Sequence, residues 1–353
     1  MSAVPSGNRR SAQPGDAITL AHGSGGKAMR DLVQDVFVSS FAYAPAEALE
    51  DQARFGLDAL RADGDRLAFT TDSFVVDPLF FAGGDIGKLA VCGTVNDLAV
   101  GGARPLYLSC SAIIEEGLPI EILQRVVSSM RQAACEAGVS IATGDTKVVP
   151  RGAVDKLFLN TAGIGVIPAG IDVRADRARP GDAVVVNGFV GDHGAAIADA
   201  RDEMSLDYDI ESDCRALNGL IAAMLGHCPD IRCMRDATRG GIATVLNEFA
   251  GASGVAIQLD EGRIPLRPEV RGFCELLGLD PLYLANEGKL LAIVPGEAAE
   301  SLLALMRRQP GGEDSAIIGH VDEGPAGRVV LGTVFGGRRI VDMLVGDQLP
   351  RIC

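Results

Sequence analysis

At 353 residues, 47% hydrophobic and 22% charged, the chain has the composition of a globular protein and the length of two domains rather than one core. A formal charge of −15 repels phosphate backbones, and with no tryptophan and only 5% aromatic residues there are few rings for bases to stack on, which excludes nucleic acid as a partner. No apolar run approaches the roughly 20 residues of a spanning helix, and the opening MSAVPSGNRRSAQPGD lacks the apolar core of a signal peptide, so no membrane association is expected, the location is cytoplasmic, and residues 1–16 form a disordered arm.

Taken in order, the elements alternate. Residues 66–76, RLAFTTDSFVV, alternate and are β-branched, which predicts a strand ending on an acidic turn. Residues 85–103 carry apolar side chains at helical spacing with Gly-Gly as the stop. A buried strand follows at 106–114. An amphipathic helix at 120–138 closes on Gly138, and strands are expected at 139–149 and 155–167. The stretch PAGIDVRADRARPGD (168–182) is rich in Pro, Gly and charge and reads as a linker. Beyond it come strand, glycine turn and helix at 182–198 and a helix at 213–225. A polar turn opens a helix at 235–254, a strand follows at 254–261 and a helix at 269–278. A strand at 289–295, a helix at 296–309, short closing strands and the tail GDQLPRIC complete the chain. Strands and helices alternating in both halves predict an α/β (α+β) protein. The expected division is 17–170, 171–345 and a mobile tail, 346–353.

Acidic residues recur at turns after strands or inside glycine-rich segments: Asp51, Asp72, Asp97, Asp145 and Asp236. Scattered carboxylates suit magnesium, a hard cation that takes oxygen ligands and bridges phosphates. Glycines let backbone N–H groups approach phosphate oxygens, and HGSGGK at 22–27 offers Gly25 and Gly26 with Lys27 as a point charge. A bound nucleotide is therefore compatible with the net charge. Each feature has a plainer role as cap or turn, and neither a P-loop nor a Rossmann fingerprint is present. Lys147 in GDTKVV and Glu287 in NEGK look buried at element ends, where charged groups acquire shifted pKa values and do chemistry. His193 in GDHGAA reads as a turn or cap residue first and a base second.

The eight cysteines include no C-x-x-C pair, and with four scattered histidines there is no zinc signature. Most lie in apolar contexts and are expected buried and reduced. Cys353, the last residue given, is the exception; a thiol in a frayed terminus is no core residue.

Together LAFTTDSFVVDPLFFAGGDIGKLAVCGTVNDLAVGGARPLYLS, TGDTKVV, GDHGA, MRDATRGG, NEGKL and the final PRIC resemble the HypE family of hydrogenase maturation proteins over residues 20–353. The acidic segments alone point to the wider superfamily of aminoimidazole ribonucleotide synthetases, selenophosphate synthetases and thiamine monophosphate kinases. At Asp51 the segment EDQARFGLDAL departs from the superfamily's Asp-Asp-Ala-Ala-Val.

The resemblance implies two α/β domains, the first pairing across a two-fold axis so that its strands form a shared barrel, with ATP in the cleft beside the second domain. It implies a carbamoyl group carried on Cys353, received from the carbamoyltransferase HypF, dehydrated with ATP and Mg2+ to a thiocyanate, and passed as a nitrile through a HypC–HypD complex to hydrogenase iron. By the same resemblance Asp51, Asp72, Asp97 and Asp236 are metal ligands. Gly25, Gly26, Lys27, Asp72, Asp97, Asp145, Thr146 and Asp236 hold ATP. Cys353, Glu287 and Lys147 are catalytic, with either Glu287 or Lys147 taking the first proton. Gly346 and Pro350 would let the tail swing, inward with ATP and outward without it. The alternatives are another superfamily enzyme, such as a selenophosphate or amidine-forming synthetase, or a nucleotide-gated scaffold carrying a thiol.

Overall fold

Strand alternation organises the first half of the molecule. In the computed structural model, residues 17–41, 52–201, 210–343, 346, 349 and 351–353 are described; the expectations for the arm 1–16, for Asp51 and for Pro350 lie outside them. β1 (Arg66–Phe74), β4 (Arg104–Glu115), β5 (Ser140–Val149) and β6 (Leu157–Ile167) form a four-stranded sheet ordered β1-β6-β4-β5. A small hairpin of β2 (Phe80–Phe81) and β3 (Gly84–Asp85) lies between β1 and the first long helix. β4 and β5 run parallel, so a crossover is required, and helix Ile120–Ala137 supplies it, closing at Gly138 in the left-handed conformation (φ 70).

Helix Ile86–Val100 starts on an Asp85 cap whose carboxylate accepts from the N–H groups of Gly87 and Lys88, a contact worth about 1 kcal/mol. This helix is buried nearly all round because it lies between two surfaces: the sheet on one side, and on the other the second half of the chain, whose core takes in Ala99 and Val100. It covers the face of the sheet that carries Thr161, whose hydroxyl meets that of Thr94. The other face is left open, with Phe69 69% exposed, Leu67 60% and Ile113 40%.

The second half is a seven-stranded sheet of β7 (Ala183–Val186), β8 (Cys233–Asp236), β9 (Ala256–Asp260), β10 (Leu290–Val294), β11 (Ala316–Asp322), β12 (Arg328–Gly332) and β13 (Arg338–Ile340), ordered β13-β12-β9-β11-β7-β10-β8. Its central strands are apolar on both sides. Val184 and Val186 face the core under helix Gly241–Ser253, whereas Ala183 and Val185 face the core under helices Asn218–His227 and Ala299–Met306. Covered on both faces, these strands need not alternate.

Three expectations change. The acidic residues are not turn residues: Asp72 is within β1, Asp97 within helix Ile86–Val100 and Asp145 within β5, with Asp236 ending β8. The helix expected at 213–225 begins only at Asn218, because Asp213 is engaged with the main chain of residues 287–288. Cys135 is exposed like few of its kind, while Cys92, Cys110, Cys214, Cys228, Cys233 and Cys274 are buried thiols.

Candidate active site

Three carboxylates meet where the two sheets adjoin helix Ile86–Val100. Asp72 points to the covered face of its sheet, in register with Thr161. Asp97 comes from the helix above it and accepts a 3.1 Å hydrogen bond from the Thr70 hydroxyl. Asp236 arrives at the end of β8. Burial raises all three pKa values. Burial and then the Asp72 charge lift Asp97 to about 6. Burial and then Asp97 lift Asp236 to about 7. Asp72 is raised by burial against the help of the Ser73 N–H and Arg239. Such a group of mutually repelling, half-desolvated carboxylates is the electrostatic cradle of a cation. Among the described residues no three His, Cys, Asp or Glu side chains stand close enough to hold a metal ion by themselves. One or two of these carboxylates would suffice for Mg2+, which keeps water and substrate phosphates as its other ligands.

Glu287 lies beside this cluster, 3% exposed. Burial, and then the charges of Asp236, Asp213 and Asp72, push its pKa well above the glutamate range. Its loop is held rigidly. The Asp213 carboxylate accepts from the N–H groups of Glu287 (3.0 Å) and Gly288 (3.1 Å) and from the Lys289 ammonium (2.9 Å). Asn96 in helix Ile86–Val100 donates to the Glu287 carbonyl and accepts from Leu217 N. Gly288 has no room for a side chain, since a Cβ would stand 1.9 Å from the Asp213 carbonyl oxygen. Burial alone would raise Asp213, but Lys289 and the loop N–H groups outweigh it and hold the carboxyl below its ordinary value. Removing one partner of a buried pair strands the other charge. Lys289→Met should therefore cost about 3–5 kcal/mol, measured by urea unfolding; a loss below about 1 kcal/mol would show that the pair does not support this loop.

The remaining expected residues stand elsewhere. Register places Asp145 beside Ser111 and Asn160, and Lys147 beside Ile113 and Phe158, all on the open face, while Thr146 between them turns inward and is buried. Lys147 is thus not the buried amine its apolar neighbours suggested. It is exposed and paired with Asp145 at 2.7 Å, and that hydrogen bond lowers the Asp145 pKa. The loop of Gly25 and Gly26 before helix Lys27–Leu32 follows Gly23, which packs on Val148 of the same strand. Lys27 is exposed. β5 and β1 are opposite edges of the sheet, three strand spacings or roughly 14 Å apart. The expected site residues therefore form two groups: Asp72, Asp97, Asp236 and Glu287 near β1, and Gly25, Gly26, Lys27, Asp145 and Lys147 near β5.

The end of the chain lies beside the end of β1 and helix Asp192–Ala200. Ile352 is buried and Cys353 half-buried. Val75, just past β1, donates its N–H to the Cys353 main-chain oxygen at 3.0 Å. His193 is not a cap but a fully buried residue of helix Asp192–Ala200. Its Nε2 lies 2.8 Å from the Ile352 carbonyl and its Nδ1 2.8 Å from the Ser212 hydroxyl. Burial lowers its pKa, so the ring is neutral and donates from one nitrogen. A cavity of about 330 Å³ opens at this point, lined by Ser73, Val75, Arg239, Leu284, Ile352 and Cys353 among others.

Comparison with known proteins bears on the two halves of the fold. Residues 50–167 match the model for the AIR synthase related protein N-terminal domain and residues 179–332 that for its C-terminal domain. The chain is 56% identical to the carbamoyl dehydratase HypE of Rhodobacter capsulatus, covering 96% of this chain and 98% of the relative. It is similar to the crystal structure of hydrogenase maturation protein HypE in complex with ATP, with 50% identity, a TM-score of 0.90 and coverage of 95% of this chain and 99% of that one. It is also similar to HypE in a HypE–HypF complex, with 49% identity, a TM-score of 0.77 and coverage of 79% and 90%.

Proposed function

The chain belongs to the HypE family of carbamoyl dehydratases, within the AIR synthase related proteins, and on that footing we propose that it dehydrates a carbamoyl group carried on Cys353 to the S-cyano form, with ATP. The observation that carries this reading is the docked tail: Cys353 lines a cleft with Ser73 of β1, next in sequence to Asp72, and with Ala285, two residues before Glu287.

The chemistry needs those groups. A carboxamide does not release its oxygen at neutral pH, so the oxygen must first become phosphate. The amide oxygen of Cys353–S–C(=O)–NH2 attacks the γ-phosphorus of ATP, the bond to ADP breaks, and nitrogen gives up one proton. Loss of the second proton forms the C≡N bond as inorganic phosphate leaves, so the thiocarbamate and ATP become thiocyanate, ADP and phosphate. Glu287 is the general base, its basicity raised by burial and the neighbouring carboxylates. Asp72, Asp97 and Asp236, with Asp51, would hold Mg2+, which screens phosphate charge as the phosphoryl group moves. The donor of the carbamoyl group would be HypF, the receiver a HypC–HypD complex serving nickel–iron hydrogenase, and the setting the cytoplasm.

Lys147 is too far from β1 to act on its own chain's tail. The exposed Phe69, Leu67 and Ile113 favour a second copy closing the open face. A two-fold axis there would bring the β5 group of one copy toward the β1 group of the other. Lys147 and Asp145, with Gly25, Gly26 and Lys27, would then complete the ATP site across the interface, and Lys147 would polarise the amide oxygen. Two measurements check this. Phe69→Asp should convert the homodimer to monomer by analytical ultracentrifugation. Mixing inactive Lys147→Ala and Glu287→Gln chains should restore up to about a quarter of wild-type activity, since random pairing leaves one intact shared site in half the dimers; no recovery would place Lys147 outside a shared site.

The test of the function is the mass of the C-terminal peptide after incubation with HypF, carbamoyl phosphate and ATP, then with further MgATP. A gain of one carbamoyl followed by loss of one water is expected. A tail that never changes mass in a protein that still hydrolyses ATP would favour a superfamily enzyme acting on a free small molecule.

A further inference from the structure

The tail is seated by more than burial. Arg351 spans two surfaces: its Nε donates to the Val75 carbonyl at 3.0 Å and its Nη1 meets Asp155 at 2.7 Å. The guanidinium carbon stands 5.9 Å from the centre of the Phe158 ring. The Arg351 carbonyl in turn accepts from Arg201 Nη2 at 2.7 Å. Arg201 belongs to the second half of the chain and also donates to the Asp77 carbonyl, so it ties both halves to the tail. Arg351 adopts φ 52, in the left-handed region, which disfavours a residue with a Cβ by about 1 kcal/mol and persists only where surrounding contacts determine it. One residue on, His193 holds the Ile352 carbonyl, and the Ser212 hydroxyl that meets its far nitrogen is itself fixed by Cys214 N–H at 3.1 Å.

We propose that His193, Arg201 and Asp155 are positioning residues that form a docking clamp for the Arg351-Ile352-Cys353 tail, setting where the Cys353 thiol stands. The main-chain contacts would serve many sequences. Asp155 with Phe158 reads the arginine, and the buried seat of Ile352 reads the aliphatic side chain. The two kinds of contact differ in weight: the Arg351–Asp155 pair is on the surface, where such pairs contribute little and are screened by salt, whereas the His193 bond is dry, and its loss leaves the Ile352 carbonyl without a partner. The clamp deepens the proposed function by explaining how the thiol is presented, and it is open to a test that needs neither carbamoyl donor nor ATP.

That test is the rate at which N-ethylmaleimide modifies Cys353 in the full-length protein, followed by the mass of the 347–353 peptide. His193→Ala should speed modification about tenfold, the value of one buried hydrogen bond, and His193→Gln, whose amide can donate to the same carbonyl, should recover most of the protection. Arg201→Met and Asp155→Asn should each speed it about threefold. Asp155→Arg and Arg351→Asp should each expose the thiol singly and protect it when combined. Because His193 is buried, the surface charge exchange carries the test by itself if His193→Ala does not fold. Wild-type rates in the single charge variants, or no recovery in the double variant, would overturn the clamp and leave the dehydratase reading standing. A working clamp on a tail that never gains a carbamoyl would do the reverse.

Discussion

Glu287→Gln should slow the loss of water from the carbamoylated tail by about 10²–10⁴-fold, the usual contribution of a positioned general base, and leave carbamoyl transfer to Cys353 unchanged. The substitution keeps the shape of the side chain, and the loop's bonds to Asp213 run through main-chain N–H groups that glutamine retains. The fold should therefore not suffer, and it should gain at high pH. Burial and the nearby carboxylates raise the folded pKa of Glu287, so the folded state binds its proton more tightly than the unfolded state does. As pH rises above about 4.3, the unfolded value, the wild type loses stability until the folded pKa is passed. Glutamine does not titrate, so the advantage of Glu287→Gln in thermal unfolding should grow with pH and then level off. A variant that keeps full dehydration rate would remove Glu287 from the chemistry. One with an unchanged pH profile of stability would show that folding does not raise the pKa of this carboxyl.

Cys353→Ala should abolish the reaction outright. In the proposed function the thiol is the acceptor of the carbamoyl group, and the other buried cysteines are poor replacements: Cys92, Cys110, Cys214, Cys228, Cys233 and Cys274 are buried, and burial pushes Cys110 and Cys274 to about 12. Cys135 is exposed but sits near the end of the crossover helix Ile120–Ala137, on the surface. ATP binding should persist, because the carboxylates and the β5 group do not depend on the thiol. Equilibrium dialysis with labelled ATP and the peptide mass together decide the matter. ATP retained and mass gain lost is the expected pair. Phosphate release tied to dehydration in the alanine variant would transfer the acceptor role to a free small molecule.

Several features were legible in the residues. The 3.6-residue periodicity of 120–138 and its closing glycine produce helix Ile120–Ala137 with Gly138 at positive φ, since an amphipathic stripe and a left-handed cap act over a few residues. Glu287 stood out as a carboxylate between Asn286 and Gly288 at the start of an apolar strand, although its burial follows from the elements packed around it. Asp72, Asp97 and Asp236 could be singled out by type, though not by place. They were expected in turns, yet two sit inside regular elements, where the neighbouring layer rather than the local chain determines what they face. Lys147 misled for the same reason. Its apolar neighbours are strand residues that alternate, so an amine among them faces outward as readily as inward.

The tail shows most plainly where local information ends. By itself the sequence determined the alternating elements, the two-domain length and the family to which the motifs belong, because period, turn residues and motif spacing are carried by neighbours in the chain. Only the tertiary structure decided that Asp145 and Lys147 stand on the face opposite Thr146, that the candidate residues form two groups at opposite edges of one sheet, and that His193, 159 residues from Ile352, holds the tail. Those outcomes depend on which face of a sheet a helix covers and on which distant segments share a dry cleft. Both are settled by burial summed over the whole molecule.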